Sequence, residues 1–411
     1  MNALWRRVTA LGVCVAAVAV LFAVAAGGSS AAGTNTATAA AGTSCVPGPP
    51  SNLPKDPDGV AASLTGAAKA AMGGYPGTVY KSPWVKFKPK HGPPWKIGVS
   101  NNEANLNAAD LLIGLKEAAK ANPGKVSSIV STTPATPNDV PAQIQQMRSL
   151  LQQHVDIIYS TLGSPTALNA VIEQAAKQNV PVISILGQAT DKHAVNLQPN
   201  PIQLGYYGGA GLVKAMGSSG GNVLVVQGIP GLSINTDILK GGLAVLKACH
   251  VNVVGTLTGS FDPTIAKTQV LTFLSSHPGT VDGVFQVADM APGIFSAFAQ
   301  VGRKVPPVAD IGAPAASLAY WKENASKGYK GTAVAIPPTT GGEYTMDVGL
   351  AMLEGRGVKI TDVPFAPPVV TSANLNQWVL PGWTTSTNAL ANGPAGNVPF
   401  AKLIDSYFSK P

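Results

Sequence analysis

Short apolar runs alternate with helical periodicities along most of this chain. Ile97–Ser100, Val155–Ser160, Val180–Leu186, Asn222–Gln227, Asn252–Leu257 and Val281–Val287 are rich in Val and Ile. Each leads into a stretch whose apolar positions recur at helical spacing. Runs without polar alternation, such as Val180–Leu186, predict strands buried on both faces of a parallel sheet. Lys96–Ser100 reads as the first strand, and Leu106, Ala109, Ile113 and Ala118 share one face of the helix after it, which ends at Pro123–Gly124. Val140–Gln153 is the next helix. Ser164–Pro165 offers N-cap and first-turn chemistry for another, running to Gln178. The pattern breaks at Gln198–Pro201 and restarts with a helix from about Ile202 to Met216. Strands follow near Pro307–Ile311 and Thr332–Ile336, then a helix over Gly341–Glu354. This alternation predicts an α/β chain with parallel sheets. The roughly 300 residues from Trp95 onward exceed what one core usually spans, so two lobes are expected.

The ends of the chain have a different character. Arg6 and Arg7 precede the apolar stretch Val8–Ala26 and then small residues to Ala41, the layout of an export signal over residues 1–40. No charged residue occurs from Val8 to Pro54, so a membrane anchor is the competing reading. Val46–Pro94 holds ten prolines and reads as an extension or spacer (41–94), with one short helix near Gly59–Met72. From Pro364 the chain is rich in Pro, Asn and Trp and is expected to pack back over the surface, with a tail from 386 to 411.

Net charge is +8, yet its distribution argues against nucleic acid. Six Lys face Asp56 and Asp58 between Val46 and Trp95, whereas 20 Lys and Arg oppose 18 Asp and Glu from Lys96 onward. Lys81, Lys86, Lys88 and Lys90 interleave with Trp84 and Phe87, a pattern suited to an acidic surface or simply to a solvated linker. Beyond the signal two cysteines remain, Cys45 and Cys249. In an oxidising compartment they form a disulfide; otherwise Cys249 is a buried thiol and Cys45 is free or lipidated. The five histidines are scattered, which argues against a metal site.

Three motifs invite chemistry. Gly217–Gly221 fits the G-x-S-x-G nucleophile elbow around Ser219, but that elbow must follow a strand and open a helix, and here the order is reversed. Gly208–Gly211 resembles a dinucleotide loop but lies inside a predicted helix with no strand before it. Asp237, Asp262 and Asp289 each stand alone near a strand's end, where open α/β sheets bind ligands. For Asp262 a helix N-cap is an equal alternative.

The segments Ile97–Asn102, Asn179–Ile183, Val226–Gly231, Ser260–Asp262, Val284–Phe285 with Asp289–Ala291, and Ala351–Gly355 occur in an order that resembles type I periplasmic solute-binding proteins of the ribose-binding, sugar-type branch. The resemblance covers Trp95 to about Val370. It implies two Rossmann-like lobes with parallel sheets joined by a three-crossover hinge near Pro199, Ile336 and Ala366. The lobes would comprise 95–199 plus 337–366 and 200–336 plus 367–385. It further implies an exported, monomeric, non-enzymatic protein without cofactor, in the periplasm or at the wall or membrane. Such a protein delivers a small ligand to the permease subunits of an ABC importer. A ligand sensor presenting to a membrane receptor is the alternative, with a serine hydrolase using Ser219 behind it. A transcription regulator of the same fold is opposed by the signal and by the lack of a basic DNA-binding headpiece.

The sugar-binding positions depart from that family. Leu186–Gly187 stand where an Asp-Arg pair is expected, Asn235 or Thr236 where a clamping Arg is expected, and Ala288 for an Asn. Gly312 replaces an Asp and Ile336 a Gln, while an aromatic is kept at Phe261. An unpaired buried polar group costs about 1–3 kcal/mol, so losing this inventory predicts a ligand less polar than a simple sugar. The remaining candidates for ligand contact are Ser100, Asn102, Glu103, Asn107, Ser160, Thr161, Gln188, Asn235, Thr236, Asp262 and Asp289, with Leu106 and Phe261 as apolar walls.

Overall fold

Two six-stranded sheets organise the computed structural model, which describes residues 44–217, 219–394 and 400–410. The expected export signal, its membrane-anchor alternative and part of the 386–411 segment lie outside those residues. The first sheet contains β1 (Trp95–Ser100), β2 (Val126–Thr132), β3 (Ile157–Ser160), β4 (Val182–Ile185), β5 (Ala194–Pro199) and β11 (Asp362–Phe365), in the order β11-β5-β4-β3-β1-β2. The second contains β6 (Asn222–Gln227), β7 (Asn252–Thr258), β8 (Gly283–Gln286), β9 (Val308–Gly312), β10 (Thr332–Ala335) and β12 (Val369–Val370), in the order β12-β10-β9-β8-β6-β7. All pairings are parallel except β10 with β12. The fold is the two-lobed α/β arrangement that the alternating pattern predicts.

The chain passes between the sheets three times. After β5 it enters the second lobe through helix Pro201–Met216, and after β10 it returns through helix Pro338–Leu353, which packs on helix Leu106–Ala121. After β11 it crosses again to reach β12. The Gly208–Gly211 motif lies inside helix Pro201–Met216, whose glycines let it pack against helix Ser233–Ala248. A Cβ on Gly205 would sit 1.9 Å from the Ile238 carbonyl oxygen. Gly217, at φ 83°, ends that helix, and β6 begins at Asn222, so Ser219 comes after a helix and before a strand, the reverse of a nucleophile elbow.

Several elements differ from the expectation. The helix predicted from Ser164 begins at Asn169, because Pro165–Leu168 forms turns. β2 was hidden by its polar, half-exposed edge position, and β5 by Asn196 and Gln198, which are polar yet buried. The stretch before β1 is no solvated linker. Leu64, Met72, Tyr75, Val79, Trp84 and Phe87 are buried in the same core as Ile97, Leu115 and Val363. The interleaved pattern thereby splits, with Lys81, Lys86, Lys88 and Lys90 exposed and the two aromatics inside. Prolines suit this course because they fix φ and need no backbone donor satisfied. Near the C-terminus, Leu403, Tyr407 and Phe408 complete the first lobe's core, and the Tyr407 hydroxyl donates to the Pro364 carbonyl at 2.8 Å.

Cys45 and Cys249 are joined by a disulfide, which ties the start of the described chain to the end of helix Ser233–Ala248. The Tyr206 hydroxyl adds a bond to the Pro47 carbonyl at 2.6 Å. Farther along, Asn200 and Gln203 donate to the carbonyls of Ala70, Ala71 and Gly73. The segment before β1 therefore touches both lobes.

Candidate ligand-binding site

A cavity of about 150 Å³ lies between the lobes, walled by residues that follow the carboxyl ends of strands from both sheets. That is where open α/β sheets bind ligands, because loops and helix N-termini converge there. From the first lobe come Asn102, Glu103, Asn105, Asn107 and Ala108 after β1, Thr161, Leu162 and Pro165 after β3, and Leu186, Gly187 and Gln188 after β4. The second lobe supplies Leu232, Ser233 and Ile234 after β6, Phe261 after β7, Ala288 and Asp289 after β8, and Ile336 after β10.

The polar groups are held by local bonds. Asn105 caps helix Leu106–Ala121 by accepting from the Ala108 amide at 2.8 Å, and its own amide donates to Glu103 Oε1 at 2.8 Å. Burial pushes the Glu103 carboxyl above its ordinary value, against that hydrogen bond. Thr161 Oγ1 donates to Asn102 Oδ1 at 2.8 Å while accepting from the Asn102 amide at 3.1 Å, which fixes the ends of β1 and β3 together.

In the second lobe Asp289 has φ 60° and donates its backbone N–H to the Ile311 carbonyl at 2.9 Å. Burial pushes its carboxyl pKa up to about 7. Asp310 lies deeper, hydrogen-bonded by Ser317 and by Gln286 Nε2. Burial lifts Asp310 well above the ordinary carboxylate range; the Ser317 bond opposes this and the Asp289 charge adds to it. The Phe261 ring lies over Gly228, where a Cβ would come within 2.1 Å of it.

Seven sequence candidates line the cavity: Asn102, Glu103, Asn107, Thr161, Gln188, Phe261 and Asp289. Six do not. Ser100 and Ser160 are buried at their strand ends, with Ser160 Oγ donating to the Ser100 carbonyl at 2.9 Å. Leu106 is half-buried at the start of its helix. Asn235 turns inward to accept from the Gly228 amide at 2.8 Å, and Thr236 is exposed, donating to the Leu232 carbonyl. Asp262 is a helix cap, accepting from the Thr264 and Ile265 amides. Leu186, Gly187, Ala288 and Ile336, the apolar replacements at sugar-binding positions, do line the wall. Leu232 to Ile234 were missed because nothing in the composition of a helix's N-cap and first turn marks which face it shows a neighbouring lobe. Among the described residues no cluster of His, Cys, Asp or Glu is arranged to hold a metal.

Two lobes of parallel sheet, three connections and a small cavity between strand ends define a solute-binding protein. The model of the periplasmic binding protein domain family matches residues 97–357, and the chain belongs to that family. Over 288 residues it is 26% identical to the xylitol-binding protein of Mycolicibacterium smegmatis, covering 68% of this chain and 78% of that one. An ABC transporter solute-binding protein of Thermobispora bispora, also 26% identical, superposes with a TM-score of 0.65 over 76% of this chain and 95% of its own. An ABC transporter solute-binding protein of Bacillus halodurans with bound myo-inositol shares the fold, with 20% identity and a TM-score of 0.62 over 70% and 98% of the two chains. The protein is a type I periplasmic solute-binding protein and not an enzyme.

Proposed function

We propose that this protein captures a small, uncharged, polyhydroxylated ligand of the short-polyol kind, whose C–H surface packs on the apolar part of the wall. It then presents that ligand to the permease subunits of an ABC importer. The observation that carries the reading is the composition of the cavity wall. It contains no Lys, Arg or His, and Leu186, Ala288 and Ile336 stand where sugar-binding side chains are expected. Acidic ligands find no counter-charge there. Amides and the Glu103 carboxyl of the first lobe, with Asp289, serve the hydroxyls, while Phe261, Leu232 and Ile234 face carbon. At about 150 Å³ the cavity is smaller than the roughly 300–1,000 Å³ of drug-sized sites, which favours few heavy atoms. The xylitol-binding relative supports the same class.

An extracytoplasmic location is supported by the family and by the Cys45–Cys249 disulfide, since such bonds persist in oxidising compartments. No helix among the described residues is long and apolar enough to cross a membrane. A thermal-shift screen tests the ligand class, because a ligand that binds only the native state raises the melting temperature. Xylitol and other short polyols are expected to stabilise the protein. Stabilisation by simple pentoses or hexoses, and by no open-chain polyol, would sink the proposal.

A further inference from the structure

We propose that the segment before β1 is a component of the ligand site, in which Pro76 directly, and Tyr75 through the buried Asp362, fix the orientation of the cavity residue Gln188. This rests on the reading that the cavity between the lobes takes the ligand. Gln188 Nε2 donates to the Pro76 carbonyl at 3.2 Å and to Asp362 Oδ1 at 3.1 Å. Both partners are acceptors, so a flipped amide would set oxygen against oxygen, and a single orientation is left.

The carboxylate is itself fixed from several elements. Asp362 is 1% exposed and accepts from Tyr75 Oη at 3.2 Å, Asn196 Nδ2 at 3.0 Å and Thr361 Oγ1 at 2.7 Å. Tyr75 in turn accepts from Gln198 Nε2 at 2.9 Å, which directs the phenol proton to Asp362. Gly77 brings the backbone so close that a Cβ there would sit 2.7 Å from Gln188 Nε2.

Both protons of the Gln188 amide are thereby engaged inside the protein. Any contact that its side-chain amide makes with the ligand is then through Oε1, as an acceptor only. An unconstrained Gln accepts or donates at will; this one calls for a donor, a hydroxyl or an amine, at its place in the wall. Asp362 and Tyr75 are positioning residues, acting on the ligand through Gln188.

The test uses the full chain labelled with ¹⁵N at glutamine, with the Gln188 side-chain amide signals identified by their loss in Gln188→Ala. The native protein is expected to show a shifted, slowly exchanging pair. Tyr75→Phe and Asp362→Asn are expected to return that pair toward free-amide positions. Titration with xylitol should weaken about tenfold in Asp362→Asn. Asp362→Asn should add nothing in a Gln188→Ala background, because the two residues act as one unit. A purely structural role would lower the melting temperature of both variants while leaving the Gln188 signals and the affinity of the folded protein unchanged, and that result would overturn the proposal. If xylitol and related polyols bind no form of the protein, the ligand reading fails, while the amide signals still decide the positioning.

Discussion

The carboxylate of Asp289 fills the space beside Gly312: an ideal Cβ at position 312 would lie 1.9 Å from Asp289 Oδ1. Gly312 also has φ +99°, a conformation that costs an L-residue energy. Gly312→Ala is therefore expected to destabilise the protein by at least about 1–2 kcal/mol and to displace Asp289 from the cavity wall. Thermal melts of Gly312→Ala, Asp289→Ala and the double variant check this. The double variant should recover part of the loss; strictly additive losses would show that the two residues do not meet.

Asp289 also sets a pH dependence. Its pKa is about 7 in the fold against an ordinary 3.8, so the native state holds the proton more tightly than the unfolded chain. Its contribution to stability is then fully present below about pH 4 and is lost as pH rises through about 7. Asp310, raised by its own burial, acts in the same direction. The difference in melting temperature between wild type and Asp289→Asn, followed from pH 4 to 8, should move in favour of the variant as pH rises. A constant difference would rule the assignment out.

Phe261 lines the cavity at φ 59° with its ring laid over Gly228. Phe261→Ala should leave the fold intact and weaken polyol binding by on the order of tenfold, or about 1.4 kcal/mol. Gly228→Ala should produce a comparable loss by pushing the ring into the cavity. Calorimetric titration with xylitol distinguishes these outcomes from an unaffected affinity, which would remove Phe261 from the site.

A chain beginning at Trp95 should not fold stably. It would lose the burial of Met72, Tyr75, Val79, Trp84 and Phe87, each worth roughly 1.5–3 kcal/mol by side-chain transfer. The sum is comparable with the whole stability of about 5–15 kcal/mol typical of a domain. Removing only the disulfide, by Cys45→Ser with Cys249→Ser, is expected to cost about 2–5 kcal/mol. Circular dichroism and denaturant titration of the two forms check both statements.

The architecture was legible because uninterrupted Val and Ile runs have few alternatives to a parallel strand. β5 was not, since Asn196 and Gln198 are buried only by virtue of Asp362 and Tyr75, which lie far away in sequence. The same distance hid the role of residues 44–94: proline content marks a chain that turns often, and says nothing about which core it turns toward. In the site, positions directly following strands were readable, and Asn102, Thr161 and Asp289 line the cavity. Asn235, in the first turn of helix Ser233–Ala248, and Asp262, at a helix cap, were misleading because an amide or carboxylate near a strand's exit also serves the backbone around it, as both do here. Gln188 was read as a ligand contact, but the bonds that aim it come from segments no local pattern connects.

Asn200 links the lobe connections to one another. Its Oδ1 accepts from the Ile202 and Gln203 amides, its Nδ2 donates to Ala71 and Gly73, and its backbone N–H donates to Phe365 at the end of β11. One residue thus clamps the first crossover to the start of a helix, to the N-terminal segment and to the edge of the third crossover. The second crossover has bonds of its own, from the Thr339 amide to Asn392 Oδ1 at 2.8 Å and from the Ala335 amide to the Pro368 carbonyl at 2.9 Å. A rotation of the second lobe that altered the first crossover would have to carry the N-terminal segment and the third crossover with it, because all three meet at Asn200.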